Sequence, residues 1–371
     1  MKHRRWHSIL NLSFLVFLLG ESWSEKFIDV GSRFNLNKRN RFNDTFATCV
    51  GENYFYIEDA NTEKTFDRIS CEKYPNYIAR KTQRSCLNGT IYEIGFPMDK
   101  WMSDQLIKEE FHTVIDLCHD NRRAHTIYAH ATIQSTIDAA QKSFPRTSFR
   151  KGIFYSSIPI HKLYGRDVQR ETIAQILGSW EMAKKYVPEK GQSYLARGHL
   201  VAKADFVYGA QQRATFFYAN VVPMWQNINA GNWATMENSV RLYASKRDVN
   251  LEVWTGSIGT LRLEDERGRQ HEIFLHFGGQ LKPAVPVPKV LFKVVYSPRD
   301  QAGIVFLTAN NPFLKKLPKD YKLCEDVCYK IDYVSWKPDN AERGLSYCCE
   351  IDDFRQVFHA LPCLGVVRLL L

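Results

Sequence analysis

Tyr194-Leu195-Ala196-Arg197-Gly198-His199-Leu200 is answered some thirty residues later by Asn229-Ala230-Gly231-Asn232-Trp233-Ala234-Thr235-Met236-Glu237, and this pair of stretches decides how the chain is read. One histidine among eleven is by itself most often a structural or surface residue. Its neighbours give this one a context. Gly198 lets the backbone come close to another element or turn sharply just before it, and Arg197 supplies a planar fork that matches phosphate oxygens. Asn229 offers an amide oxygen, and Glu237 a carboxylate on what reads as a helix. A neutral histidine is a natural base near pH 7, and a hard divalent cation that keeps most of its waters needs few protein ligands. Together these groups meet the needs of phosphodiester hydrolysis: a base for water, an offset for charge on the phosphate and stabilisation of the leaving oxygen.

The pattern around these stretches predicts an α+β arrangement. Residues 150–160, 200–206 and 215–221 read as strands. Residues 166–186 read as a helix on the spacing of Ile173, Ile176, Leu177 and Trp180. Residues 232–245 read as a second helix, with Trp233, Met236, Val240 and Tyr243 on one stripe. Later strands are expected at 251–255, 290–296 and 303–308, and the alternating prolines of 283–288 exclude a helix there. The catalytic centre would then be two strands and the helix carrying Glu237. Glu237 and Arg241 lie one turn apart and face the same side, a spacing that also fits a solvent-exposed ion pair. Asn229 to Asn232 also fits a turn that caps the helix.

The 371 residues have room for one large domain or two modest ones. Hydrophobic content of 44% and 24% charged residues exclude wholesale disorder. A formal charge of +10 leans towards a polyanionic partner, although charge speaks to association and not to fold. Residues 1–24 read as a secretory signal: Lys2, Arg4 and Arg5, then an apolar run over 9–20, then Ser22-Trp23-Ser24. That run is too short and wrongly flanked for a membrane span, so no stable membrane association is expected. The remaining chain keeps a charge of about +8. Residues 25–123, with strands expected at 54–57 and 90–94, read as a small disulfide-tied β-rich module with no catalytic signature, and residues 124–371 as the catalytic domain.

Nine cysteines fall into two groups, Cys49, Cys71, Cys86 and Cys118, then Cys324, Cys328, Cys348, Cys349 and Cys363. In an oxidising compartment these are disulfide partners first. The rival is a zinc site built from Cys324, Cys328, Cys348 and Cys349. Adjacent Cys348 and Cys349 do not easily face one tetrahedral ion, which favours disulfides and leaves Cys363 as the odd thiol. Asn43-Asp44-Thr45 and Asn88-Gly89-Thr90 are glycan acceptor sequences for a secreted glycoprotein.

The segments 194–208, 213–241 and 253–256, with the late Cys324-Glu325-Asp326-Val327-Cys328 and Tyr347-Cys348-Cys349-Glu350, resemble the ββα-metal (His-Asn) DNA/RNA non-specific endonucleases. The likeness covers roughly residues 125–371 and is closest to secreted invertebrate members, some of which degrade double-stranded RNA. It implies a ββα-metal domain with a mostly antiparallel sheet flanked by helices. It also implies a Mg²⁺ cofactor, with Mn²⁺ as the alternative ion, and DNA and RNA as substrates. By the same resemblance His199 is the general base, Asn229 the direct Mg²⁺ ligand, and Glu237 a carboxylate acting through the ion's waters. Arg197 and Arg241 contact phosphate, and Asn220 supports the site. Two positions depart from the family pattern, Ala196 where Asp is usual and Met224 where Gln is usual. A catalytically weak, secreted nucleic-acid-binding protein with the same fold is the alternative that Met224 raises. A mitochondrial address is the third reading, and the apolar signal and the cysteines count against it.

Overall fold

A computed structural model describes residues 76–97, 110–142, 144–155, 157–277 and 282–371, and before residue 110 the strand segments at 27–34, 43–51, 54–57, 61–65, 100–102 and 105–108. The proposed signal, residues 1–24, lies outside the described residues, as do Cys71 and the side chain of Cys49.

Among the described residues the centre of the molecule is a nine-stranded sheet. Its main path runs Ser346–Cys349, Ala302–Ala309, Pro288–Ser297, Leu251–Thr260, His125–Ile133, Phe111–Asp120, Gly89–Pro97, Ile78–Cys86, and every neighbouring pair is antiparallel. The short strand Arg368–Leu369 joins Ala302–Ala309 in parallel. The three later strands expected from sequence are present, each a few residues longer than its apolar run. The sheet also crosses the expected boundary at 123/124, which falls in the tight turn between two paired strands. Residues 78–120 therefore share one sheet with 125–309, whereas Tyr54–Ile57 belongs to a separate four-stranded sheet.

Side chains alternate across a strand, and over Leu251–Thr260, Pro288–Ser297 and Ala302–Ala309 both faces are covered. On one face Leu251, Val253, Leu291 and Val295 join the larger core, which contains the site helices. On the other, Trp254, Phe292, Val294 and Leu307 pack under the C-terminal helix Ile351–Val357 through Phe354 and Phe358. The same alternation sends Cys348 and Cys349 in opposite directions, so each finds a different partner. Cys328 bonds Cys348, Cys324 bonds Cys349, and Cys86 bonds Cys118. Cys363 is free and exposed. Among the described residues Asp326, Cys328 and Cys348 form the one cluster of three metal-capable side chains. Its two sulfurs are bonded to each other, which removes the zinc reading.

Four local expectations are corrected. Residues 150–155 and 157–159 form turns and bends with a single bridge, Arg150 to Phe217, and not a strand, and Ile160 opens a short helix. The strands expected at 200–206 and 215–221 lie instead at Leu195–His199 and Val221–Trp225, with short 3-10 turns where strands were expected. Apolar runs mark burial, and hydrogen bonding to a partner decided which part extends. The expected helix 166–186 is two helices, Arg166–Leu177 and Trp180–Tyr186. Gly178 takes the left-handed conformation that ends the first, and the Ser179 hydroxyl accepts from Met182 N–H to start the second. Trp180, placed on the buried stripe by spacing, is 55% exposed as a result.

Candidate active site

The strands Leu195–His199 and Val221–Trp225 pair antiparallel, with His199 opposite Val221 and Arg197 opposite Pro223. The helix Ala234–Lys246 follows after one helical turn and a π turn. Alternation along the first strand puts Arg197 and His199 on one side. Gly198 sits between them because no side chain fits: a Cβ there would lie 2.6 Å from Met224 Cβ. Its role is close approach and not a turn, and Met224, fully buried, is the residue that closes over it.

Two asparagines anchor the pair. Asn220 is fully buried; its Oδ1 accepts from Val201 N–H at 3.1 Å, and its amide donates to Val201 O and Thr215 O at 2.9 and 3.0 Å. It thereby fixes the chain directly after His199. Asn310 accepts from Trp225 N–H and donates to Pro223 O and Pro288 O, which ties the hairpin to the large sheet. The helix is held by Asn232, whose amide donates to Lys337 O and Gly344 O, both at 2.7 Å. Trp225 and Trp233 lie buried beside these anchors; truncating either to alanine would cost about 3–5 kcal/mol.

Arg197, His199, Asn229, Glu237 and Arg241 all line one cleft of roughly 590 Å³, together with Gln141, Lys142, Arg146, Lys203 and Asn238. The His199 ring is partly open to this cleft and otherwise enclosed, with Phe149 and Phe216 centroids both at 5.3 Å. Its Nε2 is shut away and has no hydrogen-bond partner among the described residues. Burial, reinforced by the nearby Arg146 charge, pushes its pKa down to about 3 against the pull of Asp205. A histidine so placed is neutral at any ordinary pH.

Arg197 stands among Tyr164, Tyr218 and Phe149, its guanidinium carbon 5.0, 5.5 and 5.7 Å from their ring centres. These rings hold the side chain by cation–π contact, so Arg197 is not a loose surface cation. Asn229 opens the π turn, and its amide nitrogen reaches Gln226 Oε1 at 3.4 Å. It does not cap the helix, whose N-terminus has no side-chain cap.

Glu237 and Arg241 do share the cleft, but not as an exposed ion pair. Arg241 closes on Asp205, with Nη1 2.7 Å from Oδ1. Burial raises the Glu237 pKa, an effect that Lys293 and Arg241 oppose and Asp205 reinforces. For Arg241 the carboxylates Asp205 and Glu237 outweigh burial and raise its pKa.

Set beside known proteins, the chain matches the family described as DNA/RNA non-specific endonuclease over residues 90–354. The chain belongs to that family. It is 30% identical over 301 residues to a salivary endonuclease of Lutzomyia longipalpis, covering 79% of this chain and 67% of that protein. It is 25% identical over 332 residues to salivary protein Tsal2A of Glossina morsitans morsitans, covering 88% and 78%. A mitochondrial nuclease, EXOG of Xenopus laevis, is 28% identical over 172 residues, covering 43% and 46%. The family match begins inside the stretch read from sequence as a separate module, in keeping with the continuous sheet.

Among the charged residues that sequence reasoning missed are Arg146, which lines this cleft, and Asp205 and Lys293, which act on its residues from behind. Arg146 sits in a loop without periodicity, and it lies over Phe216 at 5.3 Å. Asp205 carried no signal beyond one acid in a short apolar segment. Lys293 did carry one: a lone lysine inside Val290-Leu291-Phe292-Lys293-Val294-Val295-Tyr296 is a charge that a buried strand must compensate.

Proposed function

We propose that this nuclease is a secreted, divalent-metal-dependent endonuclease that hydrolyses DNA and RNA with little sequence preference, with His199 as the base that activates water. The observation that carries the reading is the convergence of Arg197, His199, Asn229, Glu237 and Arg241 on one cleft. His199 lines this cleft with its ring uncharged, the form in which an imidazole can take up a proton. Arg197, steadied by its three rings, and Arg241, steadied by Asp205, are suited to phosphate oxygens. Backbone contacts of this kind carry no base information, in keeping with low sequence preference.

The donor set fits a small hard cation. Asn229 offers an amide oxygen and Glu237 a carboxylate whose pKa burial raises, so that a cation beside it would favour the charged form. Asn229 would hold Mg²⁺, or Mn²⁺ in its place, and Glu237 would order the surrounding water. When bound, such an ion offsets charge on the phosphate and stabilises the leaving oxygen. Secretion is supported by the basic and apolar N-terminal pattern, the bonded cysteines and the salivary names of two relatives. No helix among the described residues is long and apolar enough to cross a membrane. Asn88 is exposed in the turn between two outer strands, where a glycan is readily accommodated.

Met224 favours activity over the binding-protein alternative. It fills the space over Gly198 with an apolar side chain and leaves the cleft residues in place. The test is cleavage of plasmid DNA and double-stranded RNA by the full secreted chain, with Mg²⁺ or with EDTA, beside His199→Ala. Cleavage by the wild type alone, abolished by EDTA, is expected. A folded wild type that binds either duplex and yields no product would overturn the proposal.

A further inference from the structure

We propose that Lys293 is a positioning residue of the cleft, a buried ammonium beneath Asp205 that fixes where the Arg241 guanidinium points. The inference rests on the nuclease reading above and assigns a role to a residue that reading does not use. Lys293 sits in the middle of the strand Pro288–Ser297, on the face shared with Leu291 and Val295 and directed towards the site. It is 1% exposed, and its Nζ makes no hydrogen bond among the described residues. The nearest opposite charge is Asp205 Oδ2, 3.6 Å away.

Asp205 is equally dry and faces two ways. Oδ1 receives Arg241 Nη1 at 2.7 Å, and Oδ2 receives Ala202 N–H at 3.2 Å. Lys293, Asp205, Arg241 and Glu237 thus form a cluster of two cations and two carboxylates that sums to zero charge. Lys293 is also the strongest positive influence on Glu237. Taking away the ammonium leaves two carboxylates to one guanidinium in a shielded pocket. Such an imbalance is relieved by protonating a carboxylate or by drawing Arg241 inward, and either change alters how Arg241 presents itself to phosphate.

A merely structural part is disfavoured by the chemistry. An apolar side chain of the same length would fill this space without the desolvation cost of a charge, and the residues around it from Val290 to Val295 are otherwise all apolar. The lysine is explained by what its charge does to Asp205.

Lys293→Met, Lys293→Arg, Asp205→Asn and the double variant Lys293→Met/Asp205→Asn, each in the full chain, test this. The readings are Tm, the Kd for a DNA duplex in EDTA, and kcat and KM in Mg²⁺. Lys293→Met is expected to fold and keep the duplex Kd within about twofold. Its kcat should fall by about ten- to a hundredfold, the size of effect seen when a partner of a site residue is removed. Lys293→Arg should recover most of that loss, and the double variant should be no worse than Asp205→Asn alone. Wild-type kcat in Lys293→Met would overturn the proposal, and so would losses that multiply in the double variant. The nuclease reading fails separately, if the wild type does not cleave or His199→Ala does. If Lys293→Met does not fold, nitrogen-15 NMR of the unaltered protein at pH 7 decides. A charged, slowly exchanging Lys293 ammonium is expected, and a neutral amine would overturn the proposal.

Discussion

Two histidines of this chain, each set against aromatic rings, are driven in opposite directions. His199 in the cleft is pushed down to about 3 by burial and the Arg146 charge. His130, on the open half of the large sheet, stacks on Trp254 at 4.4 Å, with Glu252 at 2.7 Å and Asp116 at 3.8 Å. Burial works against its charge as well, but the two carboxylates outweigh it and lift the pKa to about 9. The ring is the same in both places; what differs is the sign of the nearest charges. One site keeps a neutral imidazole near the Arg146 charge, and the other keeps an imidazole that is charged at neutral pH and ties three strands together.

The difference between the two rings can be broken outright by mutation. His199→Ala should lower cleavage by roughly a hundred- to ten-thousandfold, the usual worth of a general base, measured as initial rates on plasmid DNA. His130→Ala should leave cleavage near the wild-type rate. Similar losses from both would erase the functional distinction between the regions.

Asn229→Ala should raise the Mg²⁺ concentration needed for half-maximal cleavage by about ten- to a hundredfold. The same titration of Glu252→Gln, on the sheet face, should overlay the wild type. An unchanged requirement in Asn229→Ala would remove it as the metal ligand.

Gly198→Ala forces a Cβ against Met224 and should cost about 1–3 kcal/mol of stability. Met224→Ala in the same chain should return part of it, read from thermal unfolding. No interaction between the two changes would mean that Met224 does not hold the base strand in place.

The smallest effects are those of pH. Buried His119 and His199 titrate at about 3 and His125 at about 4 in the folded chain, against roughly 6.5 when unfolded. The unfolded chain takes up these protons first, so stability should fall as pH drops below about 6.5. Glu237, with its raised pKa, pulls modestly the other way. His130 has the opposite sign: its contribution is full below about 6.5 and is lost as pH rises through about 9. Tm should therefore decline towards acid in the wild type and in His130→Ala alike, while the decline between pH 7 and 9 should be smaller in His130→Ala. Identical alkaline slopes would show that the His130 cluster adds nothing to stability.

The helix under Glu237 was legible because Trp233, Met236 and Val240 repeat at helical spacing and are buried. The three later strands were legible because their apolar runs are continuous, as strands covered on both faces must be. The strand edges near His199 were not, since Leu200 and Val201 are as apolar as Leu195 and only pairing to Val221–Trp225 separates strand from turn. Residues 78–120 read as a separate module because the sequence holds no mark of which strands pair across a turn as short as 121–124.

The sequence by itself determined which residue types are available for chemistry, and in what spacing: Arg197, Gly198 and His199 in a row, Asn229, then Glu237 and Arg241 one turn apart. It could do so because local spacing fixes which side chains share a strand face or a helix side. Only the tertiary structure decided their partners. Arg241 could pair with Glu237 on its own helix, and it closes on Asp205 instead; Lys293, distant in sequence, completes the charge cluster. Electrostatic energies depend on separation and on exclusion of water, and both are set by how the elements pack, not by their order along the chain.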